Sequence, residues 1–243
     1  MTRNGMWKTL KLKNWIKTNK IFPKTGMKHC RFFVLFLFFA GITFGTGCSD
    51  PSSRRDFVNA YTLNGYEKEL LKPGDIIMRH GYGFVSNTIV KTLAEDYSIS
   101  HAGIIVKGNN GRFNVVHSVS QTISDFDGVQ KVDLNTFVRD SRPNSIMIVR
   151  FLSSAENPES TAGISQRANH YLDQKVPFDY SFNLEDESRF YCSEFIVRVL
   201  ADIFGDSLFD RLYPPGISGL DKLKFGIFLD PKLFEIVINH HQN

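Results

Sequence analysis

The sequence predicts an α+β domain, a small antiparallel sheet flanked by helices, and three features of the chain point to it. Asp75-Ile76-Ile77-Met78-Arg79 is a short apolar run of strand length, set directly behind the breaker Lys72-Pro73-Gly74. Ala102 to Val106 and Phe113 to Val119 flank Gly108-Asn109-Asn110-Gly111, turn chemistry that folds two strands back on each other as a hairpin. Phe195, Ile196, Val199, Leu200, Ile203 and Phe204 recur at helical spacing behind Cys192, and Gly205 supplies the stop.

The elements follow in order along the chain. Residues 49–55 are polar and read as a tether, and the lead-in after them carries a short helix around Tyr66 to Leu71. The first strand ends at Arg79. Val85, Ile89 and Leu93, four apart, give an amphipathic helix from Phe84 to Leu93, and the hairpin comes next. Ile146 to Phe151 is a further strand, and Asn157-Pro158 opens a helix that runs to about Leu172. The Cys192 helix follows. After it, Tyr213-Pro214-Pro215-Gly216 breaks the chain, and the apolar segment Leu233 to Ile238 carries no signature that assigns it a place. The last residues, with His240 and His241, read as a solvated end.

Composition separates a leader from this domain. Residues 1–47 hold nine Lys or Arg and no Asp or Glu, so the formal charge of +4 leaves 20 basic against 25 acidic residues in the rest. A nucleic-acid binder carries its positive charge on the folded domain. That class is excluded. Phe32 to Gly47 reads FFVLFLFFAGITFGTG behind Lys28, His29 and Arg31, which is the layout of a secretory signal peptide, short for a spanning helix of about 20 residues. Cys48 directly after this run marks a bacterial lipoprotein leader with a lipidated cysteine, although Gly45-Thr46-Gly47 lacks the branched aliphatic residue usual three positions before it. Met27 is a natural start for such a leader. The resulting division is a leader at 1–48, a tether and lead-in at 49–70, and a domain at 71–243. The expected setting is an exported protein of the bacterial cell envelope, held to a membrane by its N-terminal lipid.

Cys192 is then the one thiol of the mature chain, since Cys30 lies in the leader and Cys48 carries lipid. It has no disulfide partner in an oxidising compartment. At the start of a helix its sulfur faces unpaired N–H groups and the positive end of the helix dipole, which lowers a thiol pKa. Acyl transfer by such a sulfur needs a base, a group that orients the base, and a donor for the oxyanion. His101 and His117 sit roughly opposite each other near the open end of the hairpin, and a slip of one residue would send them to opposite faces. In this arrangement His101 takes the thiol proton, His117 holds its tautomer, and the N–H of Cys192 receives the oxyanion. Asp179, Tyr180 and Tyr191, in and after the loop that delivers the chain to Cys192, are candidates for contact with substrate. Asp75 is read as closing a turn or pairing with a nearby donor. Arg79 and His80, ending the first strand, could face the same cleft. The spacing offers no His-x-x-x-His or Cys-x-x-Cys, so no metal and no cofactor is expected.

Lys72-Pro73-Gly74-Asp75-Ile76-Ile77, Ser100-His101-Ala102-Gly103-Ile104-Ile105, Phe113 to Ser118, and Phe178-Asp179-Tyr180 leading to Tyr191-Cys192-Ser193-Glu194 resemble the permuted papain-like amidases of the YaeF/YiiX type, relatives of the NlpC-type endopeptidases. The resemblance spans roughly residues 70–205. In unpermuted relatives the cysteine helix precedes the histidine strands, whereas here it follows them, so the order is circularly shifted. The resemblance implies a papain-like fold and a cysteine hydrolase cutting amide bonds through a thioester, with Cys192 as nucleophile and His101 as base. His117 fills the third position, where members of this type often carry Glu. The implied substrates are cell-envelope peptides or N-acyl amino acids and lipids, or N-acyl compounds more broadly. Two competing readings remain open: a lipid acyltransferase on the same site, and a non-catalytic lipoprotein that binds envelope ligands.

Overall fold

The computed structural model describes residues 61–155 and 158–242, all within one compact unit, Arg55–Asn243. The leader, the tether and Cys48 lie outside the described residues. Among the described residues no helix is long and apolar enough to cross a membrane.

Six strands form one sheet, β1 (Ile76–Arg79), β2 (His101–Lys107), β3 (Phe113–Val119), β4 (Gly128–Asp133), β5 (Met147–Phe151) and β6 (Phe234–Asn239), in the order β4-β3-β2-β1-β5-β6. Every neighbouring pair is antiparallel. The first four strands meander away from β1, and β5 returns to its free edge. The predicted α+β class with an antiparallel sheet is therefore the observed one. The apolar segment whose place the sequence leaves open is β6, which pairs with β5 across a register shift at Ile148/Val149.

Alternation along the strands divides the core between two sheet faces. Ile76, Met78, Ala102, Ile104 and Val116 point to one face. There α5 (Pro158–Asp173) and α6 (Cys192–Phe204) cover them, with Ile164, Phe195, Ile196 and Val199 fully buried. Ile77, Ile105 and Val115 point to the other face. It is covered by Leu63 and Leu71 around α1 (Gly65–Leu70) and by Phe137 and Val138 of α3 (Leu134–Arg139). The remaining α-helices among the described residues are α2 (Phe84–Leu93), α4 (Leu152–Ala155) and α7 (Asp206–Leu212).

Two polar clasps tie distant parts of the chain together around the sheet. Asp75, wholly buried, receives Arg150 Nε at 2.7 Å and Nη2 at 2.9 Å, and also the N–H of Lys72 at 2.8 Å. It thus closes the turn before β1 and pairs β5 to it. The second clasp corrects the reading of a solvated C-terminus. His240 is only 9% exposed, its Nδ1 bonded to the Tyr61 hydroxyl at 2.5 Å and its Nε2 to Glu67 at 2.7 Å. Glu67 also completes a capping box on Asn64 at the start of α1, so the clasp anchors the first described helix to the last turn of the chain.

Candidate active site

The site forms where β2 and β3 part. Their ladder runs from Lys107↔Phe113 to Ile104↔Val116 and stops there, while β2 stays paired with β1 as far as His101↔Arg79. The loop before α6 enters this gap. Ser118 Oγ donates to the carbonyl of Phe190 at 2.6 Å, and the N–H of Ala102 turns to the sulfur of Cys192. The sulfur is thereby seated against the residue that follows His101.

The ladder register places His117 across from Gly103 rather than from His101, so the two histidines are diagonal neighbours and not direct opposites. They share a face because 101 and 103 have the same parity. His101 Nε2 lies 2.7 Å from His117 Nδ1, with ring centroids 5.0 Å apart. Gly103 makes this possible. A Cβ there would meet Val115 Cγ1 at 2.5 Å, the Val116 carbonyl at 2.9 Å and His117 Cβ at 3.0 Å. Gly103→Ala is therefore expected to cost about 1–3 kcal/mol by overpacking and to displace His117. Denaturant midpoints and kcat, measured on the same variant, check both effects.

Cys192, His101 and His117 line one cavity of about 610 Å³, which passes from Phe137 on one sheet face, around the strand ends, to Leu93 and Phe225 on the other. Most of its wall is apolar, including Ile89, Leu93, Phe178, Phe182, Leu223 and Phe225. Among the described residues no group of three or more His, Cys, Asp or Glu is placed to hold a metal ion.

Electrostatics at the site depart from the expected lowered thiol pKa. Burial pushes the Cys192 thiol up to about 11, and the N–H groups of Ser193, Ala102 and Cys192 only partly oppose it. The helix start does supply donors to sulfur, but desolvation of the charged form outweighs them. Burial likewise holds His101 well below its ordinary value, helped by the charges of His117 and Arg79, and pushes His117 down to about 3, helped by Arg79. All three effects favour neutral groups. Desolvation thus favours a thiol and an imidazole over a thiolate and an imidazolium.

Tautomers follow from the pairing. With His101 Nε2 engaged by His117, Nδ1 is the nitrogen left for the thiol. If Nδ1 is to accept a proton, Nε2–H must donate to His117 Nδ1, which places the proton of His117 on its Nε2. That atom is buried and has no hydrogen-bond partner.

The other candidates fall in different places. Tyr180 stands at the cavity mouth, half exposed, its hydroxyl donating to Asp127 at 2.7 Å and accepting the N–H of Gln121 at 3.0 Å. Tyr191 contributes ring surface to the wall, but its hydroxyl is committed to the carbonyl of Lys222 at 2.9 Å. Asp179 is not part of the wall. It is fully buried and accepts the N–H groups of Ser181 at 2.8 Å and Asn183 at 2.5 Å, so it shapes the loop instead of meeting a ligand. His80 bonds to Asn87 at 3.1 Å and lies off the cavity wall, whereas Arg79 lines it.

Glu194, in the first turn of α6, is a feature the sequence reading passed over. It is fully buried, with Arg198 Nε 3.7 Å away, and Arg198 also holds Glu187 and the carbonyl of Leu184. Burial, aided by Asp179, raises its pKa to about 8 against the pull of Arg198. The fold therefore keeps a proton that the unfolded chain gives up near the ordinary 4.5, and wild-type stability falls as pH rises from there through about 8. Glu194→Gln cannot ionise. Its stability relative to wild type is expected to grow across this interval, read by denaturant melts at successive pH values.

Residues 70–207 match a family described as permuted papain-like amidase enzyme, YaeF/YiiX, C92 family. Among solved structures, the chain is similar to metalloprotein yiiX from Escherichia coli O157:H7, with 25% sequence identity and a TM-score of 0.45, over 55% of this chain and 66% of that one. No curated protein matches it. With the family matched over more than half of its length, this chain belongs to the permuted papain-like amidases of the YaeF/YiiX type.

Proposed function

We propose that the protein is a cysteine amidase that hydrolyses an N-acyl compound, through a thioester on Cys192, at the cell envelope. The observation that carries this reading is the meeting of Cys192, His101 and His117 on one largely apolar cavity. His101 Nδ1 takes the thiol proton as sulfur attacks the carbonyl carbon, and the N–H of Cys192, which has no carbonyl acceptor within the first turn of α6 and faces its own sulfur at rest, turns to the oxyanion. Collapse breaks the C–N bond, and the same proton passes from His101 to the leaving nitrogen. Water, deprotonated by His101, then cleaves the thioester to a carboxylic acid and restores the thiol. His117 stays neutral throughout and accepts the Nε2–H bond while His101 is charged.

The apolar wall favours a hydrocarbon acyl group over a polar peptide segment, since burying unpaired peptide groups there is unfavourable. Incubation of the purified full chain with a long-chain N-acyl amide should release amine and free acid in equal amounts. Added alcohol or amine that diverts the acyl group into a new ester or amide would establish an acyltransferase instead. Absence of both products, with ligand still bound, would support a binding lipoprotein. Attachment of lipid at Cys48 is part of this proposal, supported by the leader Phe32 to Gly47 and the basic residues before it. Metabolic labelling with a palmitate analogue should mark the wild-type chain and not Cys48→Ala.

A further inference from the structure

Most of the large apolar side chains that the described residues leave exposed ring the mouth of the cavity. Val85, Ile123, Tyr180 and Leu220 line the cavity and are exposed as well, so they form its rim. Phe84, 84% exposed, precedes Val85 at the start of α2, and Phe126, 73% exposed, stands in the β3–β4 loop, where its carbonyl accepts a bond at 3.0 Å from Gln130 of the cavity wall. Tyr82 comes just before α2, exposed, with the Arg142 guanidinium 5.8 Å from its ring centre. An apolar rim of this kind marks a surface that meets something other than water.

Register fixes the end of the sheet on which this rim lies. Arg79 ends β1 opposite His101, Val119 ends β3, and Met147 opens β5 opposite Met78. The segment leading into α2, the β3–β4 loop and residues 141–146 therefore share that end. The chain enters the described domain there too: the hydroxyl of Tyr61, the first described residue, accepts the N–H of Ile146 at 3.2 Å, and the neighbouring Ser145 Oγ accepts the N–H of His80 at 3.2 Å. Residues 49–60 join this point to Cys48, and an extended chain of that length reaches at most about 45 Å. With lipid on Cys48, the tether pulls on the rim end of the sheet and not on the opposite one.

Charge on the α2 side suits a layer of anionic headgroups. Phe84–Leu93 holds no Asp or Glu, its exposed face carries Phe84, Thr88 and Lys91, and Arg142 reaches over to Asn87 at 2.9 Å. Asp127 is engaged by the Tyr180 hydroxyl and Asp140 by Arg139, while Asp125 is exposed on the loop side. Aromatic side chains settle at headgroup level, and an apolar passage that opens against a bilayer admits an acyl chain without its crossing water. We propose that the mouth of the cavity seats on a lipid bilayer, with Phe84 and Phe126 entering its interface, so that an acyl chain passes from membrane to cavity directly. This rests on the reading that the cavity takes an acyl group.

The chain carries tryptophan only as Trp7 and Trp15, so a single fluorescent reporter can be placed once both are Phe. In that full chain, Phe84→Trp is compared with Ile236→Trp, which puts the reporter on the exposed face of the edge strand β6. Each is mixed with vesicles of phosphatidylethanolamine and phosphatidylglycerol. Emission from position 84 is expected to shift to the blue and to be quenched when brominated lipids replace the ordinary ones, while emission from position 236 stays unmoved. No shift at 84 overturns the proposal. Equal shifts at both positions overturn it too, because the anchor alone then brings the domain down in any orientation. A blue shift at 84 that grows with protein concentration and needs no vesicles assigns the rim to a second copy of the chain, which is equally fatal. Hydrolysis of an N-acyl amide with position 84 unmoved removes the docking surface and keeps the amidase, whereas quenching at 84 with no hydrolysis counts against the amidase reading alone. Quenching at 84 in a chain that takes up no palmitate label removes the anchor and keeps the rim.

Discussion

Cys192→Ala is expected to lower hydrolysis of an N-acyl amide by at least about 10³-fold, the scale on which loss of a nucleophile acts, while the far-UV spectrum and unfolding midpoint stay near those of the wild type. Cys192 lines the cavity, and the packing of α6 is carried by Phe195, Ile196, Val199 and Leu200 behind it. Its removal deletes the attacking atom and little of the core. Residual turnover within tenfold of the wild type would mean that another group attacks the carbonyl.

The largest effect on stability is expected from Arg150→Met. This change leaves the Asp75 carboxylate fully buried without the two N–H donors that now hold it at 2.7 and 2.9 Å. Breaking one side of a buried pair costs about 3–5 kcal/mol, because the remaining charge is uncompensated. Nη2 also leaves the carbonyl of Leu70 at the end of α1 without its donor. Chemical denaturation measures the loss, and an Asp75→Leu/Arg150→Met double variant should recover much of it. Recovery by the double variant separates an unpaired charge from simple loss of packing.

The parts of the fold that were legible in the sequence are those with local causes. Gly108 to Gly111 announces the hairpin, and the period of Phe195 to Phe204 announces α6, because turn chemistry and helical spacing act within a few residues. β4 escaped notice. Its burial fades along its length from Gly128 to Asp133, as befits an edge strand, so it lacks clean alternation. The helix after it had a readable signal in Asp133, whose side chain caps Asn135 and Thr136. β6 was readable only as an apolar run, since its partner β5 lies far back in the chain.

The site shows the same division. That Cys192 and the two histidines share a cavity could be anticipated from residue types and family resemblance, yet their electrostatics could not. The helix start suggests a lowered thiol pKa, whereas burial between β2 and β3 decides the opposite sign. Burial is made by distant residues, and no local pattern reports it. Asp179 illustrates the converse: it stands in a suggestive stretch before the nucleophile, but both its oxygens are spent on its own loop.

A neutral thiol beside a neutral imidazole becomes a nucleophile only as the proton moves, so attack depends on His101. Mixing the enzyme at pH 7 with a long-chain p-nitrophenyl ester, whose thioester accumulates when deacylation is slow, tests this directly. A burst of nitrophenolate equal to the enzyme present is expected, with one acyl group on the peptide containing Cys192, both lost in His101→Ala. An acyl group on another residue, or an undiminished burst without His101, would contradict it.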